Sequence, residues 1–277
     1  QLIAICFVAS LAGCAAGPDF QRPAAPNISS YTTTPTPTQL TKDQKLVEGL
    51  LLETQWWRSL GSPSLNALID DALQTSPTLT ALNANLRQAH ELFAAGAGST
   101  QYPQLTANLG AQRQHMSPSS QGWSGDTRQF SLYNANVSVN YNLDLAGGNR
   151  RTLEALAART DYRRFELNAA RLALAGNIAT AAITRAGLDA QMKVTTAIIR
   201  AQDEQLRIAH QRVRIGQASP DEVLSLQVQV EQARAELPAL RKQLQQTEHL
   251  LAVLAGRAPS AAHIPAFVLA DFTLPTE

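Results

Sequence analysis

The chain has 277 residues and a net charge of +1, so it offers no strongly basic surface for nucleic acid. Only 16% of its residues are charged, against about 25% in ordinary soluble domains. The second half is dominated by Ala, Gln, Thr and Leu, which suits long helices packed closely on small side chains and argues against a thick globular core.

Residues 1–13, QLIAICFVASLAG, read as the apolar core of a secretory signal. The run from Leu2 to Ala12 is too short to span a bilayer as a helix, which needs about 20 residues. It lacks a starting Met and a basic flank, so the true N-terminus is expected further upstream. The run ends in Leu11-Ala12-Gly13-Cys14, the pattern of a bacterial lipobox, in which the Cys becomes the acylated first residue of the mature chain. Several acyl chains on one residue anchor stably where a single chain does not. Ala15 follows, not Asp, and this favours the outer membrane; the alternative is a plain signal with an incidental Cys14. Cys6 leaves with the signal, so no disulfide framework is possible. Residues 14–53 then form a tether, rich in Pro and Thr over 17–41.

Two short helices are expected over 54–101. The first carries Leu65, Leu68, Ile69, Ala72 and Leu73 at helical spacing, with Ser64 as N-cap and Pro77 marking the exit. The second, about 78–95, carries Leu79, Leu82, Leu86, Ala89 and Phe93.

Residues 102–143 alternate as two strands around a polar, Gly/Ser-rich loop. In the first strand, 102–112, Leu105, Ala107, Leu109 and Ala111 alternate with polar residues. In the second, 133–143, Tyr133, Ala135, Val137, Val139 and Tyr141 share one face with Leu143, and Asn134, Asn136, Ser138, Asn140 and Asn142 share the other. Uncharged polar residues suit a water-filled lumen, and an apolar face with Tyr at its ends suits lipid. The pattern predicts a transmembrane β-hairpin with a lipid-facing and a lumen-facing row, the alternative being a hairpin on a soluble core. Two strands cannot close a barrel and open edges are not viable in lipid, so other copies must complete the wall.

From 144 to 256 the pattern is a long helical hairpin. The first limb runs almost to Ile215, roughly 65–70 residues or on the order of 100 Å at 1.5 Å per residue. Ile178, Met192, Ile199, Leu206 and Val213 lie on a seven-residue spacing, with Leu174, Ala181 and Leu188 beside them. In the second limb Val223, Leu226, Val230, Ala233, Leu237, Leu240, Leu244, Leu251 and Leu254 follow steps of three and four, with Thr247 in the one gap and Pro238 expected to bend it. Between the limbs, at 214–223, Gly216 suits a helix C′ position, and Ser219, Pro220 and Glu222 suit N-cap, N1 and N3 of a capping box. Residues 257–277 leave the helix as an irregular tail.

Catalytic chemistry is not visible. The five His share no metal-ligand spacing, Gly147-Gly148-Asn149 lacks the Lys-Ser/Thr of a phosphate loop, and adjacent Asp70 and Asp71 point different ways on a helix. No metal, cofactor or enzymatic activity is expected.

In this order, LAGC with GPDFQRP, WWRSLGSPSLNALIDDAL, YPQLTANLGA, YNLDLAGGNRR and IGQASPDEVLSLQVQVEQARAELPALRKQLQQTEHLLAVLAGRAPS resemble the outer-membrane factor lipoproteins. These are the TolC-like exit ducts of tripartite efflux pumps, here of the NodT/OprM branch. The resemblance implies a homotrimer forming one tube, with a β-barrel in the outer membrane and a helical barrel in the periplasm. Its helical tips meet a periplasmic adaptor that links the duct to an inner-membrane pump. It also implies a mainly α fold with one transmembrane β-hairpin, half of a tandem repeat, with 257–277 leading to the other half. By the same resemblance Cys14 is the lipidated residue, and Leu143, Asp144, Leu145, Gly147, Arg150 and Arg151 form the strand-to-helix junction. Gly216, Ser219, Val223 and Leu224 match the tip motif, and Ile215, Gly216, Gln217, Ala218, Ser219, Asp221 and Glu222 are the expected adaptor-contacting residues. Departures are Glu222 for a commoner Asp, Ala146 for a large apolar residue, and Thr75–Leu79 for an Asn-containing pattern. The competing functions are a lipid-anchored coiled-coil adaptor or scaffold, and a type I secretion duct.

Overall fold

The computed structural model describes residues 17–28, 44 and 53–274, which fold as two compact units. Cys14 lies outside the described residues. Among the described residues, one unit is made of 17–24 and 84–165; the other is made of 25–28, 44, 53–83 and 166–274.

Six regular elements are α1 (Pro63–Thr75), α2 (Pro77–Gln101), β1 (Gln104–Met116), β2 (Arg128–Asn140), α3 (Gly148–Arg214) and α4 (Pro220–Leu254). Both early helices differ from expectation at their ends. The cap of α1 is Ser62, not Ser64: its Oγ accepts the Leu65 N–H at 3.4 Å, and Pro63 takes the first helical position, where a missing N–H costs nothing. The same device starts α2, where Ser76 caps the Leu79 N–H at 3.4 Å ahead of Pro77. Ser76 also ends α1, its own N–H donating to the Ala72 carbonyl, so one residue closes one helix and opens the next. This places the boundary within Thr75–Leu79, and α2 continues to Gln101, past the expected end near 95.

In the first unit, α2 and the start of α3 pack through a small-residue contact. A Cβ at Gly96 would meet Leu156 Cδ1, the movable end of a side chain, at 2.8 Å, so glycine here leaves room for Leu156 against α2. Thr160 Oγ1 donates to the Ala89 carbonyl at 3.3 Å across the same pair.

In the second unit the core gathers Trp57 and Leu60 from the 3-10 turn Trp56–Leu60, the apolar face of α1, and Ala175, Ile178, Ala179, Ala182 and Ala186 of α3. Leu251 and Ala255 close it from the end of α4. The alanines explain why so few large side chains suffice, since they let α3 run close to its neighbours. The predicted coiled-coil rows face inward: Ile178, Ala181, Leu188 and Ile199 of α3 and Val223, Val230 and Leu251 of α4 are buried, and the other members are half-buried. Antiparallel pairing follows from the cross-links Arg185–Glu248, Asp203–Arg234 and Arg212–Glu222, where each step along α3 is matched by a step back along α4. Pro238 lies inside α4 without ending it.

The segment after α4 is irregular, as expected, but it is part of the core. Phe267 is fully buried beside Phe272, and Thr273 N–H donates to the Leu60 carbonyl at 2.9 Å. Arg185, buried in α3, donates to the Phe267 carbonyl at 2.8 Å and to Glu248 Oε1 at 3.0 and 3.2 Å. One guanidinium thus ties α3, α4 and the tail. Asp70 and Asp71 each take a separate cation: Asp71 is paired with Arg257 at 2.7 Å, and Asp70 lies 3.5 Å from Arg58.

Candidate functional site

The hairpin is fully paired, from Gln104 opposite Asn140 to Met116 opposite Arg128. Both strands extend further into the loop than the alternation predicted, and β2 ends at Asn140, so Tyr141, Asn142 and Leu143 lie past the ladder. Residues 102 and 103 likewise precede β1. The register puts Leu105 beside Val139, Ala107 beside Val137, Leu109 beside Ala135 and Ala111 beside Tyr133, all on one face. The opposite face pairs Gln104 with Asn140, Thr106 with Ser138, Asn108 with Asn136 and Gly110 with Asn134. At Gly110 the Asn134 carboxamide lies over the space left by the missing Cβ. No residue of either strand is buried, and Leu109 is 87% exposed. A lone two-stranded sheet is marginal in water. An unburied apolar row and an unburied amide row, back to back, therefore fit a sheet lying between lipid and water.

The turn into α3 is built on Asp144. Its Oδ1 accepts the Asn149 N–H at 3.0 Å and its Oδ2 accepts the Arg150 N–H at 2.9 Å, while Gly147 takes a positive φ of 75°. These are otherwise orphan donors of the helix start. The N–H of Arg150 is the largest influence holding the Asp144 carboxyl below its usual range, helped by the N–H groups of Asn149 and Gly148. Arg151 in the next position donates to Asp19 Oδ1 at 2.7 Å, to the Gly17 carbonyl at 3.2 Å and to Glu154 at 2.7 Å. The hydrogen bond from Arg151 holds the Asp19 carboxyl low in turn. Sequence reasoning matched Arg151 to the junction by resemblance and missed its partner. Gly17 and Asp19 carry no periodic pattern that could have announced the contact.

At the other candidate site α3 ends in a Schellman motif. Gln217 N–H donates to the Arg212 carbonyl at 2.8 Å and Gly216 N–H to Val213 at 3.0 Å, with Gly216 at φ 76°. Ser219 caps α4 as expected, its Oγ accepting the Asp221 N–H at 3.3 Å. The capping box is not formed. Glu222 turns its carboxylate to Arg212, 3.2 Å away, because an opposite charge is a stronger partner than a neutral N–H. Arg212 also reaches the Gln217 carbonyl at 3.4 Å, so it laces the turn from below. It was missed, although a basic side chain in the last turn of a helix is a legible signal. Ile215, Gly216, Gln217, Ser219, Asp221 and Glu222 are exposed and Ala218 is half-buried. The tip motif splits by role: Val223 is buried in the seam and Leu224 is exposed.

Among the described residues no group of His, Cys, Asp and Glu could hold a metal ion, and no helix is long and apolar enough to cross a membrane.

Comparisons with known proteins agree with this geometry. Residues 68–257 match the outer membrane efflux protein family. The pyoverdine export outer membrane protein OpmQ of Pseudomonas aeruginosa is 31% identical over 219 residues, covering 76% of this chain and 45% of OpmQ. The outer-membrane channel OprN superposes with a TM-score of 0.77 over 92% of this chain and 55% of that one, at 22% identity. The open-state MtrE outer membrane channel of Neisseria gonorrhoeae superposes at 0.73 over 94% and 55%, also at 22% identity. The chain spans about half the length of the relatives it matches. Over that half, its long helical hairpin and paired strands have the TolC-like channel fold.

Proposed function

Because the chain belongs to the outer membrane efflux protein family, we propose that it contributes to a passive outer-membrane duct for small molecules, working in a tripartite efflux system. The observation that carries this reading is the hairpin register, which aligns two apolar rows on one exposed face and two amide-rich rows on the other. On this reading the row of Tyr133, Ala135, Val137 and Val139 faces lipid, and Asn134, Asn136, Ser138 and Asn140 face a water-filled lumen. Tyr141 and Asn142 continue these rows past the ladder, where the pleat no longer dictates their direction. Copies of the chain, as a homotrimer, supply the strands that close the wall. On this reading transport is passive and calls for no catalytic residue; the energy comes from an inner-membrane pump, joined through a periplasmic adaptor.

Two sites serve that assembly. Cys14 carries the acyl anchor, and Arg151 holds Gly17, three residues further on, against the first turn of α3. Incorporation of labelled palmitate is expected in the wild type and not in Cys14→Ala, and equal labelling of both refutes the anchor. The tip residues Ile215, Gln217, Ala218 and Asp221 face the adaptor, while Gly216, Ser219 and Glu222 are occupied in shaping the turn. Ala218→Trp and Asp221→Arg are expected to abolish export while leaving the assembled duct at its normal level. Loss of assembly instead assigns these residues to the turn and not to a partner.

A further inference from the structure

The two faces of the hairpin exchange character part-way along its length. On the apolar face the run Leu105/Val139, Ala107/Val137, Leu109/Ala135, Ala111/Tyr133 stops, and the next pairs are Arg113/Ser131 and His115/Gln129. On the amide face the change is the reverse, from Gly110/Asn134 to Gln112/Leu132, Gln114/Phe130 and Met116/Arg128. The inversion in both strands at one level marks a boundary between two surroundings.

The dimensions identify that boundary. Leu105 to Ala111 is six residue steps, about 20 Å along a strand. Strands of such barrels tilt by about 40°, so this run rises about 15 Å along the bilayer normal. It forms the loop-side part of an apolar band about 25 Å tall, its edge marked by the girdle-type aromatic Tyr133 in the last pair. Arg113 lies two steps further along the strand, about 5 Å along the normal beyond that last apolar pair. A headgroup layer adds roughly 5–8 Å to each side of the hydrocarbon. Arg113 therefore falls in that layer, on the lipid side, at the loop end of the hairpin. Its side chain is held there: Arg113 Nη2 donates to Gln129 Oε1 at 3.3 Å, and Gln129 Nε2 lies 3.1 Å from His115 Nδ1. The carboxamide of Gln129 bridges the two basic side chains, and this contact employs one N–H of the guanidinium fork.

We propose that Arg113, set beside His115 by Gln129, binds a phosphate-bearing lipid headgroup in the leaflet on the loop side. Guanidinium recognises phosphate oxygens through paired N–H donors, and its position at the rim of an apolar row presents it to a headgroup whose tails lie along that row. The proposal rests on the membrane reading of the hairpin. Arg128 is its internal control, being equally basic but on the opposite face, beside Met116 and three residue steps, about 10 Å, further toward the loop.

The test uses the full chain with Cys14→Ala, so that no acyl chain contributes, and vesicles of phosphatidylcholine with or without phosphatidylglycerol. The anionic lipid is expected to tighten binding of the parent about five-fold more than binding of Arg113→Gln, the contribution of one basic side chain at an anionic surface. Arg128→Gln is expected to respond as the parent does. An equal gain in Arg113→Gln, or an equal loss in Arg128→Gln, overturns the headgroup contact while leaving the membrane reading intact. Failure of the parent to bind either vesicle overturns the membrane reading and the proposal with it.

Discussion

Val137→Arg together with Val139→Arg is expected to abolish assembly of the chain in the outer membrane. Both positions lie within the apolar run, opposite Ala107 and Leu105, and both are well exposed in the isolated chain. A lipid-facing Arg near the bilayer midplane costs about 2–4 kcal/mol, falling towards the interfaces. Each added Arg would appear on every copy in the assembly, so the costs multiply. Asn136→Arg, one residue away on the amide face, is the matching control, because a lumen-facing charge alters selectivity and not insertion. Assembly is read as the amount of heat-resistant oligomer in outer-membrane fractions. Normal assembly of the Val137/Val139 double variant defeats the membrane-strand reading, and equal loss in Asn136→Arg defeats the assignment of faces.

Phe267→Ala is expected to destabilise the second unit by about 3–5 kcal/mol, the usual range for truncating a buried Phe. The ring is fully buried, and its backbone carbonyl is the acceptor that Arg185 uses. Truncation would open a cavity beside Phe272 and loosen the segment on which that buried guanidinium depends. Phe267→Leu, which keeps most of the volume, is expected to cost much less. Urea unfolding of the full chain, followed by helical signal, measures both. A shift under about 1 kcal/mol for Phe267→Ala would remove the tail from the core.

The long helices were legible because their signal is periodic and redundant. Every seam position from Val223 to Leu254 lies inside or at the edge of the packed face, including Thr247 in the gap. The hairpin was legible for the same reason, since alternation over ten residues leaves little freedom in assigning faces. Boundaries were less so. Ser64 satisfied the cap rule as well as Ser62, and the Pro63 that favours Ser62 carries a weaker signal than the apolar run it precedes. The capping box failed because a local rule cannot know that Arg212, ten residues away, competes for the same carboxylate.

The sequence by itself determined the helical rows, the two-faced hairpin, the stop at Gly216 and the restart at Ser219, because each depends on residues within a few positions of one another. Tertiary structure alone decided that Arg185 joins three segments, that an irregular tail buries Phe267, that Arg151 receives Asp19, and that the hairpin faces invert at Ala111/Tyr133. The first three join residues far apart in the chain, whose meeting depends on how the helices pack, and no local pattern encodes it. The inversion needed the pairing register, because one strand read alone shows a change of texture but not that its partner changes at the same level.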